Sequence, residues 1–279
     1  VNKNFVNQVY YKSSENMSEL PDRSIDLVFT SPPYFNIKEY SEDKGQIGNE
    51  GNYKKFILDL LPIWKECYRV LKPNAKMIIN TPLMPIKKEQ DKSHYNRQIY
   101  NINNDIEHSI LNNISDIYLL DIYIWNRTNA TKSLMFGSYP YPTNFYTQNT
   151  IEFITVYVKD GEPEKIKTKT KNKSRLTSKE WTEYTKQIWN IPIPNRSDFG
   201  YNSHPAIMPE EIAKRCIKLY SFFGDVVLDP FTGSGTTIQA AIKLERQYVG
   251  YEISDTYKKV IDGKIYDATE NVQSQIFKK

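Results

Sequence analysis

The chain has 279 residues, 39% of them hydrophobic and 25% charged, with a formal net charge of +4. That size and balance suit one large α/β domain, or such a domain with a small insertion, and exclude a disordered or fibrous chain. No apolar run reaches the ~20 residues that cross a bilayer, the N-terminus has no apolar leader core, and the mild basicity permits a nucleic-acid partner without requiring one.

In chain order, apolar β-rich runs predict strands at Phe5 to Tyr11, Ile25 to Thr30, Lys76 to Asn80, Ile117 to Trp125, Ile151 to Val158, Val226 to Asp229 and Tyr248 to Glu252. Helical periodicity predicts helices at Tyr53 to Leu71, where Pro62 should disturb the pattern and Pro73 follows the end, and at Glu210 to Phe222 and Thr236 to Leu244. Strands alternating with helices point to a mostly parallel sheet covered on both faces. The Ile117 and Ile151 runs have no helical pattern between them and read as an antiparallel pair joined by a long connection. Cys67 and Cys216 lie far apart in helical segments and read as ordinary thiols of a cytoplasmic protein. His94, His108 and His204 make no ligand pattern, so no metal is expected.

Two segments break the rhythm. Asn126 to Thr150 is rich in Tyr, Phe, Asn, Pro and Ser, and Lys159 to Ser178 is basic and nearly free of apolar residues. A charge run is ordinarily a solvated loop, but a loop of more than about 15 residues within a compact domain calls for a functional reading as well.

Two short motifs carry chemistry. The first, Phe29-Thr30-Ser31-Pro32-Pro33-Tyr34-Phe35, runs straight out of the strand at Ile25. Each proline removes a ladder donor and drives the residue before it into an extended conformation, so the stretch is rigid and rich in acceptors. The second, Asp229-Pro230-Phe231-Thr232-Gly233-Ser234-Gly235-Thr236, lies between a strand and a helix, with Glu252 closing the next strand. Gly233 and Gly235 permit a tight turn and close approach to a ligand. The helix N-terminus offers N–H donors, and an acid ending the second strand is placed to accept from ribose hydroxyls. The motif lacks the lysine of a phosphate loop and the third glycine of a dinucleotide site. A nucleoside with a cationic amino-acid tail, S-adenosyl-L-methionine, suits it better.

With both motifs in view, the sequence resembles the β group of DNA amino-methyltransferases, which methylate cytosine N4 or adenine N6. Ser31-Pro32-Pro33-Tyr34 matches their [DNS]-P-P-[YFW] catalytic motif and Phe231-Thr232-Gly233-Ser234-Gly235 their F-x-G-x-G cofactor motif. The catalytic motif comes first, and the threonine-serine form is most like the cytosine-N4 members. "RVLKPNAKMIIN" and "HPAIMPEEIAKR" are also similar to family segments. The chain departs from the family at "YYKSSENM", where Lys12 or Ser13 stands near the usual Gly-Asp, so that contact is left unassigned. His204 matches the family's cofactor-proximal histidine only loosely, and a surface-turn histidine before Pro205 is the alternative.

The resemblance implies a circularly permuted, Rossmann-like class I methyltransferase fold with a seven-stranded sheet and an inserted target-recognition region. On that reading residues 1–125 form the catalytic half, 126–200 an edge strand with recognition segments, and 201–279 the cofactor-binding half. The implied activity is transfer of a methyl group from S-adenosyl-L-methionine to N4 of a flipped cytosine, in restriction-modification beside a cognate restriction endonuclease. Ser31 and the Pro32 carbonyl would accept the two amine hydrogens and Tyr34 would stack on the base. Asp229, Pro230, Phe231, Thr232, Gly233, Ser234, Gly235, Thr236 and Glu252 would hold the cofactor. Tyr139 and Tyr141 would contact bases, unless they form a packed cluster with Tyr146. Lys167, Lys169, Lys171, Lys173 and Arg175 would neutralise DNA phosphates. Adenine-N6 methylation on the same scaffold, an RNA or protein methyltransferase, and a catalytically inactive nucleic-acid-binding subunit remain open readings.

Overall fold

The computed structural model describes residues 4–33, 47, 52–85, 98–130, 139–143, 145, 147–194 and 208–276. Its centre is a sheet with the spatial order β1 (Gln8–Tyr10), β10 (Gln247–Tyr251), β9 (Val226–Asp229), β2 (Ile25–Thr30), β3 (Leu71–Pro82), β7 (Ile151–Lys159), β6 (Ile117–Asn126) and β8 (Ile188–Asn190). The first five are parallel, β7 runs antiparallel to both β3 and β6, and β8 is parallel to β6. A two-stranded ladder of β4 (Met84–Pro85) and β5 (Ile99–Tyr100) stands apart.

The two C-terminal strands therefore sit between β1 and β2. The count of seven strands that the resemblance implied is corrected to eight among the described residues by β8, a three-residue edge strand. Three residues are too few to show alternation. What fixes β8 is tertiary: Trp189 is buried against Tyr123, 4.7 Å between ring centroids, and its indole N–H donates to the Tyr184 carbonyl.

Helices cover both faces. On one, α1 (Tyr53–Val70) and α2 (Ile102–Asn113) pack against Val28, Met77, Ile79 and Leu228. On the other, α5 (Glu210–Tyr220) and α6 (Thr236–Lys243) pack against Leu27, Phe29, Ile78 and Val227. Helix α1 runs through Pro62 without ending. The carbonyl that Pro62 deprives of a donor belongs to Leu58, which is 64% exposed, so water can satisfy it. Helix α7 (Lys258–Ile276) closes the chain against α6. No described helix is long and apolar enough to cross a membrane.

The basic run is not simply a loop. It contains α3 (Thr168–Lys173) and leads into α4 (Ser178–Tyr184), which starts at a capping box between Thr177 and Glu180. Because β7 is antiparallel, the chain leaves it at the N-terminal edge of the parallel strands. The stems of the connection from β6 to β7, residues 127–130 and 147–150, leave the sheet at the opposite, C-terminal edge.

Candidate active site

Parallel strands β2 and β9 pair Leu27 with Val227 and Val28 with Leu228, so their C-terminal ends leave the sheet side by side. Thr30 Oγ1 donates to Asp229 Oδ1 at 2.6 Å and ties the two turns that follow. One cleft at this edge is lined by Ser31, Pro32 and Pro33 from the first motif, by Asp229 to Ser234 and Thr236 from the second, and by Glu252. The two motifs, some 200 residues apart in sequence, thus form one site. Tyr34 and His204 lie outside the described residues.

The glycine turn is built closely. Gly235 has φ +80°, a left-handed conformation that side chains resist, and its N–H donates to the Thr232 carbonyl at 2.8 Å. Thr232 N–H in turn donates to the Tyr251 carbonyl at 2.9 Å. Gly250 on β10 is required by the same packing: a Cβ there would sit 2.5 Å from Thr232 Oγ1 and 2.7 Å from Ile238 Cδ1. Phe231 packs edge-on against the buried Trp64 at 5.9 Å.

Glu252 is the most telling residue. It is buried, and its two oxygens accept from the backbone N–H groups of Gly233 (2.7 Å) and Ser254 (2.9 Å). These amides favour the ionised form, yet burial prevails and pushes its pKa up to about 7. A carboxylate has about four acceptor sites, so it retains capacity for hydroxyl donors. Asp229, also buried, has its pKa raised to about 6 by burial despite hydrogen bonds from Thr30, Thr237 and the Phe231 N–H. Its visible work is to staple β2 to the glycine turn.

The Ser31 hydroxyl donates to the Asn80 carbonyl on β3 at 3.3 Å. With its proton directed there, the oxygen is an acceptor. The departure at "YYKSSENM" also falls here, since Lys12, Ser13 and Ser14 line the cleft. Lys12 is engaged by Glu19 at 2.6 Å and lies 5.9 Å from the Tyr251 ring centroid.

Sequence reasoning missed Lys264 on α7. It is 3% exposed, and its Nζ donates to Ser234 Oγ (3.2 Å) and Thr236 Oγ1 (2.9 Å) behind the glycine turn. Burial lowers its pKa to about 8. A lone helical lysine carries no signal of this, because its partners are 30 and 28 residues away.

The residues expected to bind DNA are divided by the fold. Tyr139 and Tyr141, 64% and 74% exposed, belong to the 127–150 connection at the cleft edge. Lys167, Lys169, Lys171, Lys173 and Arg175 belong to the opposite edge. There Lys173 Nζ sits 3.8 Å from the centroid of the Phe223 ring, and Ser174 Oγ accepts from the Phe223 N–H. The six residues of β2, at about 3.3 Å each, separate this region from the cleft. The structure does not group these five with the site. Among the described residues no cluster of His, Cys, Asp and Glu could hold a metal ion.

Comparison with known proteins agrees with this geometry. The profile of the DNA methylase family matches residues 25–262. The type II methyltransferase M.MjaI of Methanocaldococcus jannaschii is 31% identical, over 92% of this chain and 90% of that protein. The DNA adenine methyltransferase YhdJ of Escherichia coli is 26% identical, over 88% of this chain and 77% of that protein. TTHA0409 of Thermus thermophilus, a putative DNA modification methylase solved in complex with S-adenosyl-L-methionine, superposes with a TM-score of 0.74 at 25% identity, over 94% and 95% of the two chains. PvuII DNA methyltransferase (cytosine-N4-specific) shares the fold at a TM-score of 0.68 and 18% identity, over 95% and 92%. With its family profile matched over most of its length and its two motifs meeting in one cleft, the chain belongs to the DNA methylase family.

Proposed function

We propose that this chain is an S-adenosyl-L-methionine-dependent, site-specific DNA methyltransferase acting on the exocyclic N4 amine of a cytosine turned out of the duplex. The observation that carries the reading is the meeting of Ser31-Pro32-Pro33 with the Asp229–Ser234 turn and Glu252 in one cleft.

The cleft fits the cofactor. Glu252, buried and held by the backbone amides of Gly233 and Ser254, suits the ribose hydroxyls. The turn from Gly233 to Thr236 brings backbone close to the ligand, and Phe231, Ile253 and Tyr257 give it apolar walls. When bound, S-adenosyl-L-methionine supplies an electrophilic sulfonium methyl group.

The protein's part is to prepare the amine. A cytosine amine is a poor nucleophile because its lone pair is conjugated into the ring. Ser31 Oγ and the Pro32 carbonyl accept its two hydrogens, which favours a tetrahedral nitrogen with its lone pair localised. Neither Pro32 nor Pro33 has an N–H to compete for those acceptors. Serine is too weak a base to remove the proton outright, so the amine loses its proton to water during or after transfer, and positioning supplies most of the rate. The target nitrogen is hidden in a duplex, so the base must be extruded or the substrate single-stranded.

Serine at the first motif position favours cytosine. The second reading, adenine N6 on the same scaffold, is supported by the likeness to a relative named as an adenine methyltransferase. Sequencing that detects modified bases in DNA from cells expressing the chain tests both. N4-methylcytosine in a fixed context supports the proposal, N6-methyladenine moves it to the second reading, and unmodified DNA refutes both.

A further inference from the structure

On the sheet face that carries α5 and α6, four neighbouring strands present a row of polar groups at the cleft edge. Ser31 follows β2, Asn80 is on β3, Glu152 on β7, and Arg127 follows β6. The Ser31 hydroxyl donates to the Asn80 main-chain carbonyl (3.3 Å), the Asn80 side-chain Nδ2 donates to Glu152 Oε2 (2.7 Å), and Arg127 Nη1 meets Glu152 Oε1 at 3.2 Å. Asn80 is fully buried and Glu152 is 4% exposed. Arg127 also donates from Nε to the Thr150 carbonyl (3.3 Å) and from Nη2 to the Asn149 carbonyl, while its own backbone N–H donates to the Thr150 carbonyl at 2.8 Å. One guanidinium thus clamps both stems of the 127–150 connection.

A charged pair in the interior is costly to build and is weak grounds for stability as such. Here it joins the described stems of the 127–150 connection to the serine that receives the amine in the proposed reaction. Glu152 also sets which way the Asn80 amide points. Donation from Nδ2 leaves Asn80 Oδ1 buried with no hydrogen-bond partner among the described residues.

We propose that Glu152 is a positioning residue for methyl transfer: by holding the Asn80 side chain it fixes the end of β3, whose main-chain carbonyl at Asn80 orients the Ser31 hydroxyl, and it couples that end through Arg127 to the stems of the 127–150 connection. This rests on the role given to Ser31 above. Glu152 offers one carboxylate oxygen to Asn80 and the other to Arg127. Glutamine has one oxygen, so in Glu152→Gln either Asn80 turns its amide over to present Oδ1, or Arg127 faces an amide N–H₂ and moves.

The test is single-turnover methyl transfer at saturating DNA and cofactor, with cofactor affinity by calorimetry and folding by thermal melt. Glu152→Gln is expected to slow transfer about 10- to 100-fold, the scale of a small misplacement of a reacting group, with cofactor affinity within about twofold. In a Ser31→Ala background the same change is expected to add no further loss, because it acts through Ser31. A merely structural role would lower the melting temperature and leave the rate of the folded fraction unchanged. Arg127→Met breaks only the outer link and keeps the test open if Glu152→Gln does not fold. A wild-type rate in whichever of the two folds, or a full further loss in the Ser31→Ala background, overturns the inference. If Ser31→Ala itself transfers at the wild-type rate, it is the Ser31 reading that fails.

Discussion

Removing the Glu252 carboxylate should weaken cofactor binding far more than it disturbs the fold. The side chain is buried, accepts two backbone N–H groups at 2.7 and 2.9 Å, and would take the ribose hydroxyls with its remaining capacity. Hydrogen bonds to a charged acceptor contribute about 1.5–3 kcal/mol each. Two such bonds at the low end come to about 3 kcal/mol, or roughly 100-fold in Kd. Glu252→Ala is therefore expected to raise the Kd for S-adenosyl-L-methionine by about two orders of magnitude in calorimetry at pH 8. The pH dependence gives an independent reading. Burial holds the carboxyl pKa at about 7, and hydroxyl donors stabilise its ionised form, so binding must release a proton. Wild-type affinity then falls as pH drops from 8 through 7, by at most about tenfold per unit. Glu252→Gln loses that dependence on Glu252. An unchanged Kd in Glu252→Ala would remove the residue from the cofactor site and refute the reasoning.

Three carboxyls, the half-buried Asp225 and the buried Asp229 at about 6 and the buried Glu252 at about 7, have their pKa values raised chiefly by burial. The folded state holds these protons more tightly than the unfolded chain, so their effect is to lower cofactor-free stability as pH rises from about 5 to 8; scanning calorimetry should show a higher melting temperature at pH 5.5 than at pH 8, and a steady rise over that range would contradict it. Replacing Lys167, Lys169 and Lys171 together with Gln should leave the salt dependence of DNA binding as in the wild type, because these residues lie at the edge opposite the cleft; a slope reduced by up to about three phosphate contacts' worth would show DNA reaching that edge.

What the sequence made legible was local. The strand of Ile25 to Thr30 was framed by apolar residues and stopped by two prolines, and the glycine turn stood between a clear strand and a clear helix. Composition showed the lysine run but not its position, because that depends on β7 running antiparallel to β3, a pairing across about 75 residues. Asn80 to Glu152, 72 residues apart, and Lys264 to Ser234, 30 apart, are likewise made only by folding. Strand β8 was too short to register, and the helix α4 that Thr177 and Glu180 open with a capping box was not among the predicted helices.

The central claim is that Ser31 assists transfer as an acceptor for the target amine, a role consistent with its own proton lying on the Asn80 carbonyl. The most direct test is single-turnover methylation of cytosine N4 by Ser31→Ala, beside calorimetry of cofactor binding. An acceptor needed most as the nitrogen becomes tetrahedral acts on rate, so transfer should slow by at least about 100-fold, the cost of one such interaction in other enzymes, with cofactor Kd unchanged. Transfer at the wild-type rate would contradict the account and leave the two prolines as no more than the end of a strand.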